Sequence, residues 1–108
     1  MNKKNINKSI AQLKKALFNR FGKGIELYLF GSVARNDYHP DSDIDVLVLV
    51  PGKVDTKLEI EILHLAYDIE LEYDVVFGLV VNEKESWESE KASVMPFHRN
   101  LQREALRI

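Results

Sequence analysis

Two aspartates, Asp43 and Asp45, stand at the head of an unbroken apolar run from Val46 to Val50. Side chains alternate along a β-strand, so both carboxylates are expected to project from one face, with their Cα atoms about 6.6 Å apart. Two carboxylates at the end of a buried strand are costly unless a positive charge lies between them. A divalent cation that carries nucleotide phosphates meets this need, because such cations prefer hard oxygen ligands.

Gly31 and Ser32 are separated from Asp43 by ten residues and follow the apolar run from Leu27 to Phe30. Glycine has no Cβ, so backbone N–H groups at this point can approach a phosphate closely. The hydroxyl and N–H of Ser32 can hold a phosphate at the start of a short helix, where the helix dipole favours anions. Together the two segments indicate phosphoryl or nucleotidyl transfer.

A pair of metal ions on a triphosphate requires a third carboxylate, which also orients or deprotonates the acceptor. Asp74 is the candidate, because it is expected to open a third strand next to another apolar run. Glu72 has the same strand parity as Asp74 and is the alternative if the register differs. We therefore predict Asp43, Asp45 and Asp74 as catalytic metal ligands.

The elements that must position these residues follow from apolar spacing. A first helix is predicted by apolar residues three or four positions apart: Ile6, Ile10, Leu13, Leu17 and Phe21. Gly22 and Gly24 are expected to end it. Strands are predicted over 25–30, 43–50 and 73–81, with the second strand buried on both faces beyond its acidic start.

A second helix is predicted to begin at the capping box from Thr56 to Glu59, with one apolar stripe along it: Leu58, Ile62, Leu65 and Ile69. Asn82 is expected to cap a third helix that runs through Ser93, and 97–106 to form a last short helix. Strands that alternate with helices predict an α+β (α/β-like) fold, a small mixed sheet with helices packed mainly on one side. At 108 residues the chain is expected to be a single domain, residues 1–108.

Composition excludes several classes of function. The chain has no cysteine, which rules out disulfides, thiolate catalysis and cysteine-based zinc sites. A net charge of −2 and the absence of interleaved aromatic and basic residues argue against nucleic acid as a partner. No apolar run is long enough to span a bilayer, and no apolar segment follows the basic N-terminus as in a signal peptide. We expect no membrane partner and a cytoplasmic location.

The stretch from Gly31 to Asp45, GSVARNDYHPDSDID, resembles the signature of polymerase-β-type nucleotidyltransferases. More narrowly, it is similar to the minimal nucleotidyltransferase group, and the resemblance covers essentially the whole chain. It implies a nucleotidyltransferase fold in which Asp43, Asp45 and Asp74 together hold two Mg²⁺ ions. Many members have glycine where this chain has Asn36, a difference in a loop and not in a ligand.

The same resemblance implies phosphate binding by Gly31 and Ser32 and transfer of AMP from ATP. Minimal members are antitoxins encoded with a helical HEPN partner, a ribonuclease toxin, which they neutralise by adenylylation or by binding. Larger nucleotidyltransferases have an extra domain that holds the acceptor. A chain of 108 residues leaves no room for one, so a partner protein or a second copy must supply that surface.

Several alternatives stay open at this point. Arg35 and Ser42 are predicted to contact the nucleotide, but Arg35 can equally pair with Asp37 or Asp41, and Ser42 can support the loop. A binding module that blocks its partner by occupancy is an alternative to an enzyme. A small-molecule or RNA-end acceptor is an alternative to a protein, and a homodimer or a hetero-complex is possible.

Overall fold

The computed structural model describes residues 3–39, 41–89 and 96–108. Their elements, in chain order, are α1 (Lys3–Phe21), β1 (Glu26–Phe30), α2 (Gly31–Arg35), β2 (Ile44–Val50), α3 (Thr56–Tyr73), β3 (Phe77–Glu83), α4 (Lys84–Trp87), α5 (Pro96–Glu104) and β4 (Leu106–Arg107). No helix among these residues is long and apolar enough to cross a membrane.

The strands of the described residues form one mixed sheet in the order β3-β2-β1-β4. β1 pairs antiparallel with β2 and with β4, whereas β2 and β3 run parallel. The central strand β2 is buried along almost its whole length, as its continuous apolar run predicts. The expected α+β class with a small mixed sheet is therefore confirmed.

The two faces of the sheet have separate cores. The larger core lies between one face and the long helices α1 and α3, which supply buried residues such as Leu13, Leu17 and Ile62. The smaller core lies on the other face, where Leu101 of α5 packs against Leu47 and Leu49 of β2. The long helices thus lie on one side, and Asp45, which has the parity of Leu47 and Leu49, faces the other.

Helix α3 begins one residue earlier than the capping box from Thr56 to Glu59 predicts. Asp55 is the N-cap, and its side chain accepts a hydrogen bond from the N–H of Leu58 at 2.8 Å. Thr56 is the first helical residue instead. Aspartate and threonine can both cap a helix, and here the aspartate lies where its carboxylate reaches the third N–H of the turn.

The third strand is shifted relative to its prediction. It was expected over 73–81 and spans Phe77–Glu83, because α3 continues through Tyr73. Asn82 therefore lies in the strand, paired with Leu49, and does not cap a helix. The helix expected through Ser93 ends earlier, since α4 stops at Trp87 with Glu88 as its C-cap, and residues 90–95 lie outside the described residues.

The strand β4 was not predicted. The helix expected over 97–106 ends at Glu104, and the chain then pairs with β1 through Leu106 and Arg107. The N–H of Ile108 also donates to the carbonyl of Leu27 at 3.0 Å. Two residues carry too little pattern to predict a strand, and the open edge of β1 determines this pairing.

Candidate functional site

Asp43 and Asp45 lie at the N-terminal start of β2 and point to the same face of the sheet. Ile44 between them is fully buried on the opposite face, against the larger core. A Cβ placed on Gly78 would lie 2.7 Å from Oδ1 of Asp45 and 3.8 Å from Cβ of Asp43. Both side chains therefore lie over the same glycine, as the sequence predicts for the two aspartates.

The carboxylate of Asp45 lies between two glycines from different segments. Phe30 pairs with Asp45 across β1 and β2, so Gly31 follows directly beside it, at φ +73°. A Cβ on Gly31 would overlap Oδ2 of Asp45 and come within 3.1 Å of its Cγ. On the other side, Gly78 pairs with Asp45 across β2 and β3. Neither position has room for a side chain while the carboxylate stays in place.

This packing perturbs the charge of Asp45. Burial raises the pKa of its carboxyl group, the neighbouring charge of Asp43 raises that pKa further, and Arg35 lowers it. Asp43 is exposed and Asp45 is half-buried. A cation between the two carboxylates would relieve their repulsion, which is the electrostatic condition for a metal site.

Ser32 lies in the first turn of α2, immediately after Gly31. No side chain caps that turn, and Phe30 at its N-cap is extended. The short helix ends at Asn36, which adopts the left-handed conformation at φ 61°. Asparagine tolerates this conformation better than most residues. Gly31 thus meets Asp45, and Ser32 is the next residue along the chain.

Arg35 and Ser42 have protein partners in this structure. Nε of Arg35 lies 3.2 Å from Oδ2 of Asp37, and Nη1 lies 3.3 Å from Oε2 of Glu104. Oγ of Ser42 accepts a hydrogen bond from the N–H of His39 at 2.9 Å, and the N–H of Ser42 donates to the carbonyl of that histidine. The structural alternatives are therefore present for both residues, and their contact with a nucleotide stays a prediction.

Asp74 does not open β3, contrary to the prediction. It is the C-cap of α3, in the left-handed conformation at φ 54°, and its N–H donates to the carbonyl of Glu70. Glu70 holds the turn, because its carboxylate accepts from the N–H of Phe77 at 2.8 Å. Glu72, the alternative, lies within α3. The helix continues because its buried apolar spacing reaches Ile69.

The register of β2 and β3 shows which residue lies beside the aspartate pair in place of Asp74. The N–H of Ile44 donates to the carbonyl of Val76 at 2.7 Å, so Val76 and not Asp74 lies next to Asp43. In the described part of the chain, no group of three or more histidine, aspartate or glutamate side chains is arranged to hold a metal. The structure brings Asp43 and Asp45 together and leaves Asp74 outside that group, so its role as a ligand stays a prediction.

Gly78 and Glu104 were not identified from the sequence. An isolated glycine within an apolar strand is a signal for close approach of a neighbouring group, and Gly78 has that signal. Glu104 has none, because its contact with Arg35 joins residues 69 positions apart.

Comparison with protein families agrees with this geometry. The chain matches the family model for the nucleotidyltransferase domain over residues 10–100. A protein of Methanocaldococcus jannaschii named as a candidate protein adenylyltransferase is 36% identical over 98 residues, which cover 90% of this chain and 91% of that protein. A second protein of the same organism and with the same kind of name is 33% identical over 81 residues, covering 75% and 76%.

Solved structures share the fold. A toxin–antitoxin crystal structure with AMP-PNP has a TM-score of 0.59 and 21% identity, over 88% of this chain and 68% of that chain. A mutant of the toxin–antitoxin MntA-HpeT has a TM-score of 0.58 and 21% identity, over the whole of this chain and 72% of that chain.

Proposed function

The chain belongs to the nucleotidyltransferase family, and we propose that it transfers AMP from ATP to a partner protein in a Mg²⁺-dependent reaction. The observation that carries this proposal is the pair Asp43 and Asp45, with the carboxylate of Asp45 fitted between two glycines. Protein adenylylation is supported by the names of the two archaeal relatives, which align over most of their length. ATP is supported by AMP-PNP, an ATP analogue, in the structure of a neighbour.

The two carboxylates fit Mg²⁺. This ion is usually bound through one or two carboxylates together with substrate phosphates and water, so Asp43 and Asp45 suffice for one ion on a triphosphate. Mg²⁺ bound there would supply the positive charge that offsets the phosphate oxygens. The predicted second ion requires Asp74 as a third ligand, and we keep both in the proposal.

The residues of the chain would act mainly by positioning, since phosphoryl centres ask little covalent chemistry of the protein. Asp43 and Asp45 would orient the triphosphate from the strand side. Gly31 and Ser32 would hold a phosphate at the start of α2, where no side chain caps the helix. Arg35 would have to exchange at least one carboxylate partner to reach the nucleotide.

We further propose that the partner is a helical HEPN-type toxin and that this chain is its antitoxin. The sequence resemblance supports this assignment, and the fold neighbours are toxin–antitoxin structures. In this proposal the partner supplies the acceptor surface.

The test is transfer of label from α-³²P-ATP in the presence of Mg²⁺ and the protein encoded beside this chain. Wild type should label that protein, and Asp43→Asn/Asp45→Asn should not. Glu85→Gln, an exposed carboxylate-to-amide change on α4, serves as the matched control and should label normally. Full labelling by a folded double variant would refute the proposed site. Asp74→Asn tests the third ligand separately.

A second candidate function is supported by the position of Asp74 at the C-cap of α3. With two acids beside each other and the third outside the group, the chain could neutralise its partner by occupancy alone. Tight complex formation without label transfer, unchanged in Asp43→Asn/Asp45→Asn, is the result expected for this binding module.

A further inference from the structure

Four large apolar side chains are exposed along one side of α3. Ile60, Leu63, Tyr67 and Leu71 are 47%, 51%, 57% and 66% exposed. Their spacing of three and four residues places them on one helix face. At 1.5 Å per residue, this apolar stripe is about 16 Å long.

Packing within the chain does not account for this apolar stripe. The side of α3 that faces the core carries Ile62, Ala66 and Ile69, which are all buried. A surface helix normally has one apolar face and one polar face, whereas α3 has apolar residues on two opposite faces. The other exposed large apolar residues of the described chain are Val76 and Leu106. Exposed apolar surface is thus concentrated on α3.

The C-terminal end of the apolar stripe leads into the segment that precedes β3. Leu71 lies in the last turn of α3, and the chain reaches Val76 five residues later. Val76 is 53% exposed and lies beside Asp43 in the register of β2 and β3. The long helices and the aspartate pair lie on opposite faces of the sheet, so a molecule on the stripe would pass around the edge strand β3 to reach the pair.

The charges along the apolar stripe select its occupant. α3 has one lysine, Lys57, and no arginine, while acidic residues flank the apolar stripe on both sides: Glu59, Glu61, Asp68, Glu70 and Glu72. Glu61 is paired with Arg20, Glu70 accepts from a backbone N–H, and Asp68 and Glu72 line a groove with Lys15 of α1. A surface with an apolar centre and acidic edges is complementary to an apolar surface with basic edges.

The two long helices of a second copy, α1 and α3, do not have that surface. Pairing of two α3 helices about a two-fold axis would bring acidic edges against acidic edges. The basic helix α1 has no exposed large apolar residue. Of the long helices of a second copy, neither α1 nor α3 therefore offers apolar residues with basic edges.

We propose that the apolar stripe docks a partner protein through an amphipathic helix whose apolar face is edged by lysine and arginine. The proposal rests on the proposed function in one respect, that the docked protein is the acceptor of the nucleotide. The stripe binds the partner, and a part of the partner that passes the edge strand β3 reaches Asp43.

The test uses two synthetic helical peptides of about 18 residues with the same leucine face, one edged by arginine and one by glutamate. Binding to the full chain is measured by fluorescence anisotropy, for wild type, Leu63→Glu and Ala11→Glu. Ala11 is exposed on α1, so its variant adds the same charge on a different helix. Circular dichroism checks that each variant is folded.

The arginine-edged peptide should bind wild type and Ala11→Glu at least about tenfold more tightly than Leu63→Glu, since loss of a central contact typically costs this much. The glutamate-edged peptide should bind wild type at least about tenfold more weakly. Equal binding of both peptides, no binding of the arginine-edged peptide, or self-association of the chain that Leu63→Glu abolishes would each overturn the proposal.

This outcome is separable from that of the proposed function. The peptide assay needs no catalysis and should be unaffected by Asp43→Asn/Asp45→Asn. If label transfer fails and the arginine-edged peptide still discriminates between wild type and Leu63→Glu, the docking surface stands and the enzymatic proposal falls.

Discussion

Replacement of Gly78 by alanine should impair transfer while leaving the fold intact. The new Cβ would lie 2.7 Å from Oδ1 of Asp45, whereas such contacts are essentially never shorter than 3.0 Å. The carboxylate must therefore retreat by at least about 0.3 Å. The backbone of Gly78, unlike that of Gly31, is not in the left-handed region, so alanine introduces no backbone strain.

The structure sets the size of the effect. Asp45 cannot move far without approaching Gly31 on its other side or the carboxylate of Asp43. If Asp45 holds Mg²⁺ as proposed, a displacement of its carboxylate by a few tenths of an ångström up to 1 Å should lower kcat roughly tenfold to a hundredfold. Stability should change by no more than about 1 kcal/mol, because alanine also restricts the unfolded chain.

The assay measures kcat, the KM for ATP and the Mg²⁺ concentration for half-maximal rate, with thermal unfolding alongside. We expect a lower kcat and a higher Mg²⁺ concentration for half-maximal rate. The KM for ATP should change less. Gly52→Ala is the control, because Gly52 has φ +90° and nothing within 4 Å of an added Cβ. It should lose about 1 kcal/mol of stability through strain and keep its transfer rate. A folded Gly78→Ala with wild-type kcat and Mg²⁺ dependence would refute the reasoning.

Three further predictions concern stability. Because the pKa of Asp45 is raised on folding, its favourable contribution is present at low pH and is lost as the pH rises through that pKa. Asp45→Asn should therefore be more stable at neutral pH by a few tenths to about 1 kcal/mol, and Mg²⁺ should raise the melting temperature of wild type only. Glu26 is buried, and hydrogen bonds from Lys84 and Tyr28 lower its pKa, so its contribution should be lost as the pH falls below the usual glutamate range; acid unfolding of Lys84→Met should begin at higher pH than that of wild type. Leu101→Ala should cost about 2–4 kcal/mol in denaturant unfolding, because Leu101 is 3% exposed in the smaller core; a loss below about 1 kcal/mol would show that α5 contributes little.

Elements with long apolar periodicity were predictable, because one buried face fixes their spacing. This holds for α1, α3 and β2, whose core residues lie where the pattern places them. The boundaries of the helices and strands were less predictable. β3 was predicted to start at Tyr73 and starts at Phe77. The N–H of Phe77 donates a hydrogen bond to the carboxylate of Glu70, a tertiary contact that propensity does not encode. The pairing of β4 with β1 likewise depends on which edge is open.

The site was predictable as far as local geometry reaches. The meeting of Gly31 with Asp45 follows from an antiparallel pair in which one strand ends where the next begins. The family match confirms the resemblance drawn from this motif. The approach of Gly78 depends on the parallel register of β2 and β3, and the bond from Arg35 to Glu104 joins distant parts of the chain. No spacing in the sequence encodes those two contacts.

The direction of the strands has a practical consequence for labelling the protein. The aspartate pair lies at the end of the sheet where β1 ends and where β2 and β3 begin. The segment from Pro51 to Asp55 lies at the opposite end of the strands, where the N–H of Val54 donates to the carboxylate of Glu83 at the end of β3. The seven residues of β2 place about 20 Å between these two ends. Gly52 is exposed with open space around it, so a fluorophore or an inserted tag at this turn can report on binding without disturbing the chemistry.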